Sequence, residues 1–295
     1  MSDLLSYYAE ANSFTRIDRL LDEIEPVSTD IDAVVRLVQG LLIHEALASF
    51  YGAAFPERRV AEKQLHGANA ILERAKRLNA SSLRNVRPPE ERVVGVCRHF
   101  TTLFVGVLRS KGIPSRVRCG FATYFERGKH VDHWVGEYWH TRDRRWVLVD
   151  AQLDDFQRKL FGVQIDSLDV PRDRFLVAGD AWKACRNGAD PQTFGVGGTE
   201  MWGLVEVFGN VFQDIAALQK IELLPWEWYG LAATDKSAAY KETDLVDQLA
   251  SISSSADHGA IEALRRLVAI DERLRVPPEK LREIAETDLA FFTAN

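Results

Sequence analysis

Three side chains in this chain have the types needed for nucleophilic catalysis: a thiol at Cys97, an imidazole at His133 and a carboxylate at Asp150. A cysteine attacks a carbonyl carbon as its thiolate, a histidine can take or share the thiol proton, and an aspartate can orient the histidine. This set of side chains therefore predicts an activated nucleophile together with its base and the group that holds the base.

Each of the three residues lies where a regular element is predicted to begin or end. Cys97 follows Gly95-Val96 and precedes apolar residues spaced three and four apart, which predicts a helix that starts at the cysteine. Unpaired N–H groups and the positive end of the dipole favour a thiolate at a helix N-terminus. His133 opens one strand-like segment and Asp150 closes the next, so turns can bring both back towards the thiol.

The elements that must position these residues predict an α+β fold, with the nucleophile helix packed on an antiparallel sheet. Gly112, with Pro114 just beyond it, is expected to end the helix. Strand-like segments rich in Val, Tyr, Trp and Phe follow at 116–125, 132–140 and 145–150. Asp154 and Asp155 follow Asp150 closely, at the end of the segment AQLDD, and are weaker candidates for its role.

The order and local sequence of these motifs resemble the transglutaminase-like superfamily of papain-type cysteine enzymes. In that family, Gly-x-Cys at a helix start is followed by Gly-Ile-Pro-x-Arg, then by a His-x-Trp-Val strand and a Trp-Val-x-x-Asp strand. The matching segments here are 95–97, 112–116, 133–135 and 146–150. The resemblance covers roughly residues 90 to 155, and ELLPWEWYG adds a weaker likeness to bacterial proteins that carry the same domain.

The resemblance implies a papain-like, transglutaminase-like core in which Cys97, His133 and Asp150 form a catalytic triad. Such a triad implies acyl transfer or hydrolysis at an amide or ester bond of a peptide, a protein or a small molecule, through a thioester. The backbone N–H of Cys97 would supply one oxyanion donor, and the sequence does not identify the second. No cofactor is implied. Calcium is not implied either, because the chain has no Asp-rich loop with calcium-binding spacing.

Two other functions are left open. A transglutaminase-like module without catalysis could bind a peptide or a partner protein in its cleft, although retention of all three triad residue types favours an enzyme. A zinc hydrolase is disfavoured, because His130 and His133 lack the i, i+4 spacing of a helical zinc motif and would point to opposite faces of a strand. We therefore predict no metal site.

Several residues near the candidate triad have competing interpretations. His99, two residues after the nucleophile, is predicted either to contact substrate or to cap the helix, and Trp134 is a second predicted substrate-binding residue. Cys119 and Cys185 have no partner motif and are predicted to be structural. An aromatic cluster farther along is predicted to pack in the core rather than line a cleft; its members are Trp226, Trp228 and Tyr229.

Composition and charge favour a cytoplasmic enzyme. The formal net charge of -6 and the pI near 5.7 argue against a general nucleic-acid or anionic-membrane binder. No apolar run reaches the roughly 18 residues of a membrane span, and the first residues lack the pattern of a secretory signal. Three cysteines in 295 residues do not suggest a disulfide framework.

The remaining segments predict helical additions to the core. We expect an N-terminal helical segment at 1–88, the catalytic core at 89–160, a mixed extension of the same domain at 161–250 and a C-terminal helical segment at 251–295. Helices are predicted over 33–50, 58–78 and 204–221, and a Ser-rich linker over 251–259. Residues 186–203 read as a long loop, and its GVGGTEMWG lacks the motif of a phosphate-binding loop.

Overall fold

The computed structural model describes residues 3–293 of the chain. The helices are α1 (Asp3–Ala9), α2 (Leu21–Ile24), α3 (Ile31–Leu41), α4 (Glu57–Val60), α5 (Ala68–Leu78), α6 (Cys97–Ser110), α7 (Asp155–Phe161), α8 (Ala178–Arg186), α9 (Leu204–Leu218), α10 (Gly230–Thr234), α11 (Ala238–Lys241), α12 (Thr243–Ser255), α13 (His258–Ile270) and α14 (Pro278–Thr293). The strands are β1 (Leu42–His44), β2 (Val93–Gly95), β3 (Ser115–Ala122), β4 (His130–His140), β5 (Arg145–Val149), β6 (Phe175–Val177) and β7 (Phe194–Gly195). Within residues 3–293, no helix has the length and apolar character that crossing a membrane requires.

The main sheet is antiparallel along the order β5-β4-β3-β6, and β7 adds a short parallel pairing to β4. β3, β4 and β5 match the three predicted strands, with Cys119 opposite Trp134 and Gly136 opposite Val149. A separate small sheet joins β1 and β2 in parallel. The predicted α+β fold, with a helix on an antiparallel sheet, is confirmed.

Helix α6 begins at Cys97 and is buried along its length. Its residues from Cys97 to Arg109 are all buried, as expected for a helix enclosed by other elements on several sides. It lies close against β4, because a Cβ on Gly136 would come within 2.5 Å of the Phe104 ring. Gly112 has a left-handed φ of 70° just after the helix, as its predicted role as a stop requires.

The predicted helix over 33–50 is correct only in its first part. α3 ends at Leu41, and the chain then enters β1, which places His44 opposite Gly95 of β2. The predicted helix over 58–78 is likewise interrupted, since α5 begins only at Ala68. Apolar spacing within a segment cannot reveal pairing with a strand that is distant in sequence. The pairing of β1 with β2 brings His44 close to Cys97.

The predicted linker over 251–259 is wrong, because α12 continues through Ser255. Ser253 is completely buried; its hydroxyl donates to Asp214 at 2.7 Å and accepts the backbone N–H of Gly179 at 2.9 Å. A Cβ on Gly179 would lie only 2.2 Å from the carbonyl oxygen of Ala250. The small residues of this segment therefore allow α8 and α12 to pack closely.

A buried ionic network joins the sheet to α9. Arg118 of β3 donates to both carboxylate oxygens of Asp214, at 3.0 and 2.8 Å, and to Glu137 of β4 at 3.1 Å. Arg116 donates to the same Glu137 oxygen at 2.6 Å. Asp214 also accepts the backbone N–H of Cys119 at 2.9 Å, so this carboxylate of α9 bonds both to the backbone of β3 and to the Arg118 side chain.

We expect Asp214→Ala to destabilise the fold by about 3–5 kcal/mol, because it leaves the buried Arg118 without one of its two carboxylates. Asp143→Ala is the matched control: the Asp143 side chain is 46% exposed, and its loss should change stability by no more than about 0.5 kcal/mol. Urea unfolding followed by circular dichroism measures both variants. Equal midpoints for the two would show that the network contributes little.

Candidate active site

The structure brings His133 and Asp150 into direct contact inside the protein. His133 lies in β4, Asp150 follows the last residue of β5, and the antiparallel pairing of these strands ends with Val149 opposite Gly136, close to His133. The His133 Nε2 atom lies 2.9 Å from Asp150 Oδ2, and both side chains are nearly or completely buried. With Nε2 held by the carboxylate, Nδ1 is the ring nitrogen left to interact with a thiol.

Neighbouring groups favour the charged form of this histidine. Burial alone would lower the pKa of His133, but the Asp150 carboxylate and, more weakly, interaction with the Cys97 thiol raise it to about 10. The pKa of Asp150 is lowered in spite of its burial, chiefly because His133 lies beside it. At neutral pH the pair is therefore an imidazolium next to a carboxylate.

Asp150 is fixed by four hydrogen bonds. Its Oδ2 accepts from the Tyr124 hydroxyl at 2.7 Å in addition to His133, and its Oδ1 accepts the backbone N–H groups of Gln152 at 3.1 Å and Leu153 at 3.2 Å. Burial and the nearby Asp150 charge raise the pKa of Tyr124 well above its usual value, so the phenol stays a donor. These bonds leave the carboxylate little freedom to turn away from His133.

Cys97 and His133 open together onto a cavity of about 790 Å³. The lining also includes His44 and Gln152, and much of it is apolar, through Phe125, Phe161, Val131, Val196, Met201, Pro225, Trp226 and Trp228. Cys97 is only 6% exposed, so a reacting group must enter the cavity to reach the sulfur. The arrangement suits a compact polar reacting group attached to an apolar portion.

Asp132 lines another part of the cavity. Its Oδ1 accepts from Asn210 Nδ2 at 2.7 Å, and burial raises its pKa to about 6, even though Asn210 and His133 act in the opposite direction. Glu206 lies in the same cavity wall. Within residues 3–293, no group of three or more His, Cys, Asp or Glu is arranged to hold a metal ion.

The two residues predicted to bind substrate lie outside the cavity lining. His99 is completely buried, and its Nδ1 accepts the backbone N–H of Val96 at 3.1 Å, which is the helix-capping alternative that the sequence left open. Trp134 is 1% exposed, and its Cα pairs with that of Cys119 in the sheet. Contact of either residue with substrate stays a prediction, and these positions give it no support.

The other cysteines and the alternative aspartates have different surroundings. Cys119 is completely buried, and burial raises the pKa of its thiol well above the usual value. Burial also raises the pKa of Cys185, to about 11. Asp154 caps α7 by accepting the Gln157 N–H at 2.8 Å and accepts from the Tyr51 hydroxyl at 2.7 Å, so its carboxylate is bonded away from His133.

Parts of the cavity were missed or misjudged from the sequence. Trp226 is 46% exposed and lines the cavity with Trp228, whereas core packing was predicted for both. Tyr229 does pack in the core, with its hydroxyl donating to the Phe212 carbonyl at 2.9 Å. Residues 196–198 of the predicted flexible loop also line the cavity. The aromatic cluster was the only signal for this wall, and the sequence could not show which rings face inwards.

With this geometry in place, comparison with known proteins identifies the core. Residues 80–151 match the family model described as the transglutaminase-like superfamily. Over this segment the chain is similar to the transglutaminase-like superfamily. The match includes Cys97, His133 and Asp150, and it confirms the resemblance indicated by the motifs. No curated protein matches the chain.

Two solved structures that are similar to this chain have low sequence identity to it. One is a "putative cysteine protease" from Cytophaga hutchinsonii, at 15% identity and a TM-score of 0.36, covering 61% of this chain and 50% of that one. The other is red sea bream transglutaminase, at 16% identity and a TM-score of 0.35, covering 51% of this chain and 31% of that one. The chain thus spans half or less of the length of either protein.

Proposed function

We propose that the transglutaminase-like domain catalyses cysteine-dependent acyl transfer or hydrolysis at an amide or ester bond. Cys97 is the nucleophile, His133 the acid and base, and Asp150 the group that orients His133. The observation that carries this proposal is the buried contact of 2.9 Å between His133 and Asp150, at the wall of a cavity that Cys97 also lines. A histidine oriented in this way beside a thiol at a helix N-terminus is the arrangement that nucleophilic catalysis requires.

The steps follow from the charges at the site. The thiolate of Cys97 adds to the carbonyl carbon, and the pair of electrons of the carbonyl π bond moves to oxygen. His133, protonated because of Asp150, gives its proton to the leaving amine or alcohol as the tetrahedral intermediate collapses to a thioester. His133 then accepts a proton from water or from an amine that attacks the thioester. Hydrolysis and transfer differ only in this last reactant.

The cavity wall indicates the kind of acyl group that fits. Trp228 packs its ring against Gly209 of α9, where a Cβ would lie 2.4 Å from the indole, and Phe125 packs edge-on to His133 at 4.9 Å. These rings and the neighbouring Met201 offer apolar surface that is partly exposed. We infer that the acyl donor is a peptide, protein or small amide or ester with an apolar or aromatic portion near the reacting carbonyl.

Selective labelling with iodoacetamide at pH 6 tests the reactivity of the nucleophile. Cys97 should be alkylated at least about tenfold faster than Cys185, because Cys97 lines the cavity at the start of α6 beside the His133 imidazolium, whereas burial raises the pKa of the Cys185 thiol to about 11. Cys119, completely buried, should be labelled only after unfolding. Peptide mass mapping over time gives the three rates. Labelling of Cys97 no faster than Cys185 would contradict an activated thiol, and the module that only binds a peptide or protein would then be favoured.

A further inference from the structure

The proposed reaction places a negative charge on an oxygen that needs hydrogen-bond donors. The first N–H groups of α6 have no partner within the helix, and the N–H of Cys97 is the donor nearest to the sulfur. One backbone donor leaves the charge incompletely stabilised in a buried site. A second donor should therefore be a side chain at the same end of the cavity.

His44 is placed at that end by the short parallel sheet. It is the last residue of β1 and lies opposite Gly95, two residues before Cys97. Its side chain lines the same cavity as Cys97 and His133, and its ring lies close enough to His133 and Asp150 to interact with their charges. It is therefore a polar side chain beside the nucleophile that the Cys97, His133 and Asp150 mechanism does not use.

The hydrogen bonds of His44 determine which of its nitrogens can donate. Nδ1 accepts the backbone N–H of Ala46 at 3.2 Å, because His44 caps the 3-10 turn that begins at Glu45. Burial, reinforced by the neighbouring His133 charge, lowers the pKa of His44 to about 4, so the ring is neutral at physiological pH. A neutral imidazole whose Nδ1 is an acceptor carries its single proton on Nε2.

We propose that His44 is an oxyanion donor of this site, an inference that rests on the proposed function. As the Cys97 sulfur forms its bond to the carbonyl carbon, the Nε2–H of His44 donates a hydrogen bond to the oxygen that receives the π electrons. No proton is transferred by His44. When the intermediate collapses, the oxygen returns its pair to carbon, the leaving group departs with the proton from His133, and His44 is unchanged.

Two other polar groups at this end, Gln152 and Tyr124, already donate hydrogen bonds within the protein. Gln152 donates from Nε2 to Gln157 Oε1 at 3.0 Å. The orientation of Gln157 is fixed in turn, because its own Nε2 donates to the Tyr51 hydroxyl and to the Gln152 carbonyl, each at 3.1 Å. This bond uses one of the two N–H groups of the Gln152 amide, and the Gln152 Oε1 atom, which has no partner, is an acceptor and cannot stabilise an oxyanion. The Tyr124 hydroxyl already donates to Asp150.

Two reagents distinguish two roles of His44: donation of a hydrogen bond to the oxyanion, and a general effect on the reactivity of the Cys97 thiol. Acetylation of Cys97 by p-nitrophenyl acetate passes through an oxyanion, whereas alkylation by iodoacetamide displaces iodide and does not. His44→Asn keeps an acceptor for the Ala46 N–H but is too short to reach the oxyanion, and His44→Gln restores a donor near the position of Nε2. His140→Asn is the matched control, because the Nδ1 of His140 also accepts a backbone N–H, from Asp143 at 3.2 Å, but this histidine does not line the cavity.

For His44→Asn we expect the rate of Cys97 acetylation to fall about 10²- to 10³-fold, with alkylation changed no more than about threefold. His44→Gln should recover part of the loss, and His140→Asn should acetylate at nearly the wild-type rate. Wild-type acetylation in His44→Asn, or a parallel fall of both rates in it, would overturn the assignment. If wild-type Cys97 itself is not acetylated, the proposed function fails, and that result is distinct from any effect of His44.

Discussion

Replacement of Cys97 by alanine is expected to remove catalysis while leaving the fold intact. The release of p-nitrophenolate from p-nitrophenyl acetate should lose its burst, and the rate of the catalysed reaction should fall by at least about 10⁴-fold, because every covalent step passes through the sulfur. The packing lost with one small thiol is about 1 kcal/mol. Stopped-flow absorbance measures the burst, and thermal unfolding checks the fold.

Cys119→Ala is the matched control for this variant. Cys119 is a second completely buried cysteine, on a strand next to β4, and it does not line the cavity. Its replacement should preserve the burst although it also removes a buried thiol. Addition of hydroxylamine to the wild type should divert the acetyl group to a hydroxamate if the thioester accepts amines. A burst that survived in Cys97→Ala would show that the covalent mechanism is wrong.

Asp150→Asn is expected to lower the rate of the same reaction by about 10²- to 10⁴-fold. The amide keeps an oxygen that can accept the N–H groups of Gln152 and Leu153, so the local turn should persist. Its NH₂ group would face His133 Nε2 and the Tyr124 hydroxyl in place of an acceptor. The histidine then loses both its preferred tautomer and the charge that stabilises its protonated form.

The pH profile distinguishes this role from a purely structural one. In the wild type, activity on an amide substrate, whose amine leaves only when protonated, should fall as pH rises through about 10, where His133 loses the proton that this leaving group needs. Asp150→Asn removes the carboxylate that raises the pKa of His133, and burial then lowers this pKa. The fall in activity should therefore begin at lower pH. Asp154→Asn, which alters the cap of α7 and the bond from the Tyr51 hydroxyl but no contact of His133, should leave both rate and profile nearly unchanged. Identical profiles for wild type and Asp150→Asn would contradict the orienting role.

The sequence determined the elements that carry the candidate triad. Apolar spacing and the stop at Gly112 predicted a helix that begins at Cys97, and alternation with aromatic and β-branched residues predicted the strands that carry His133 and precede Asp150. These signals are local, because each depends on residues within one helix or strand. The motifs at the ends of these elements were also sufficient to indicate the family that the match over 80–151 supports.

Only the tertiary structure decided what surrounds the triad. His44 was predicted to continue a helix, and its place beside Gly95 depends on pairing between strands that are far apart in sequence. Trp226 and Trp228 face the cavity while the adjacent Tyr229 faces the core, a distinction set by packing around α9 and not by residue type. The serines of α12 resemble a linker in composition, but Ser253 among them meets buried partners supplied by α8 and α9. Local sequence signals placed the helix of Cys97 and the strands next to His133 and Asp150, whereas burial and long-range contacts determined which other side chains reach the thiol.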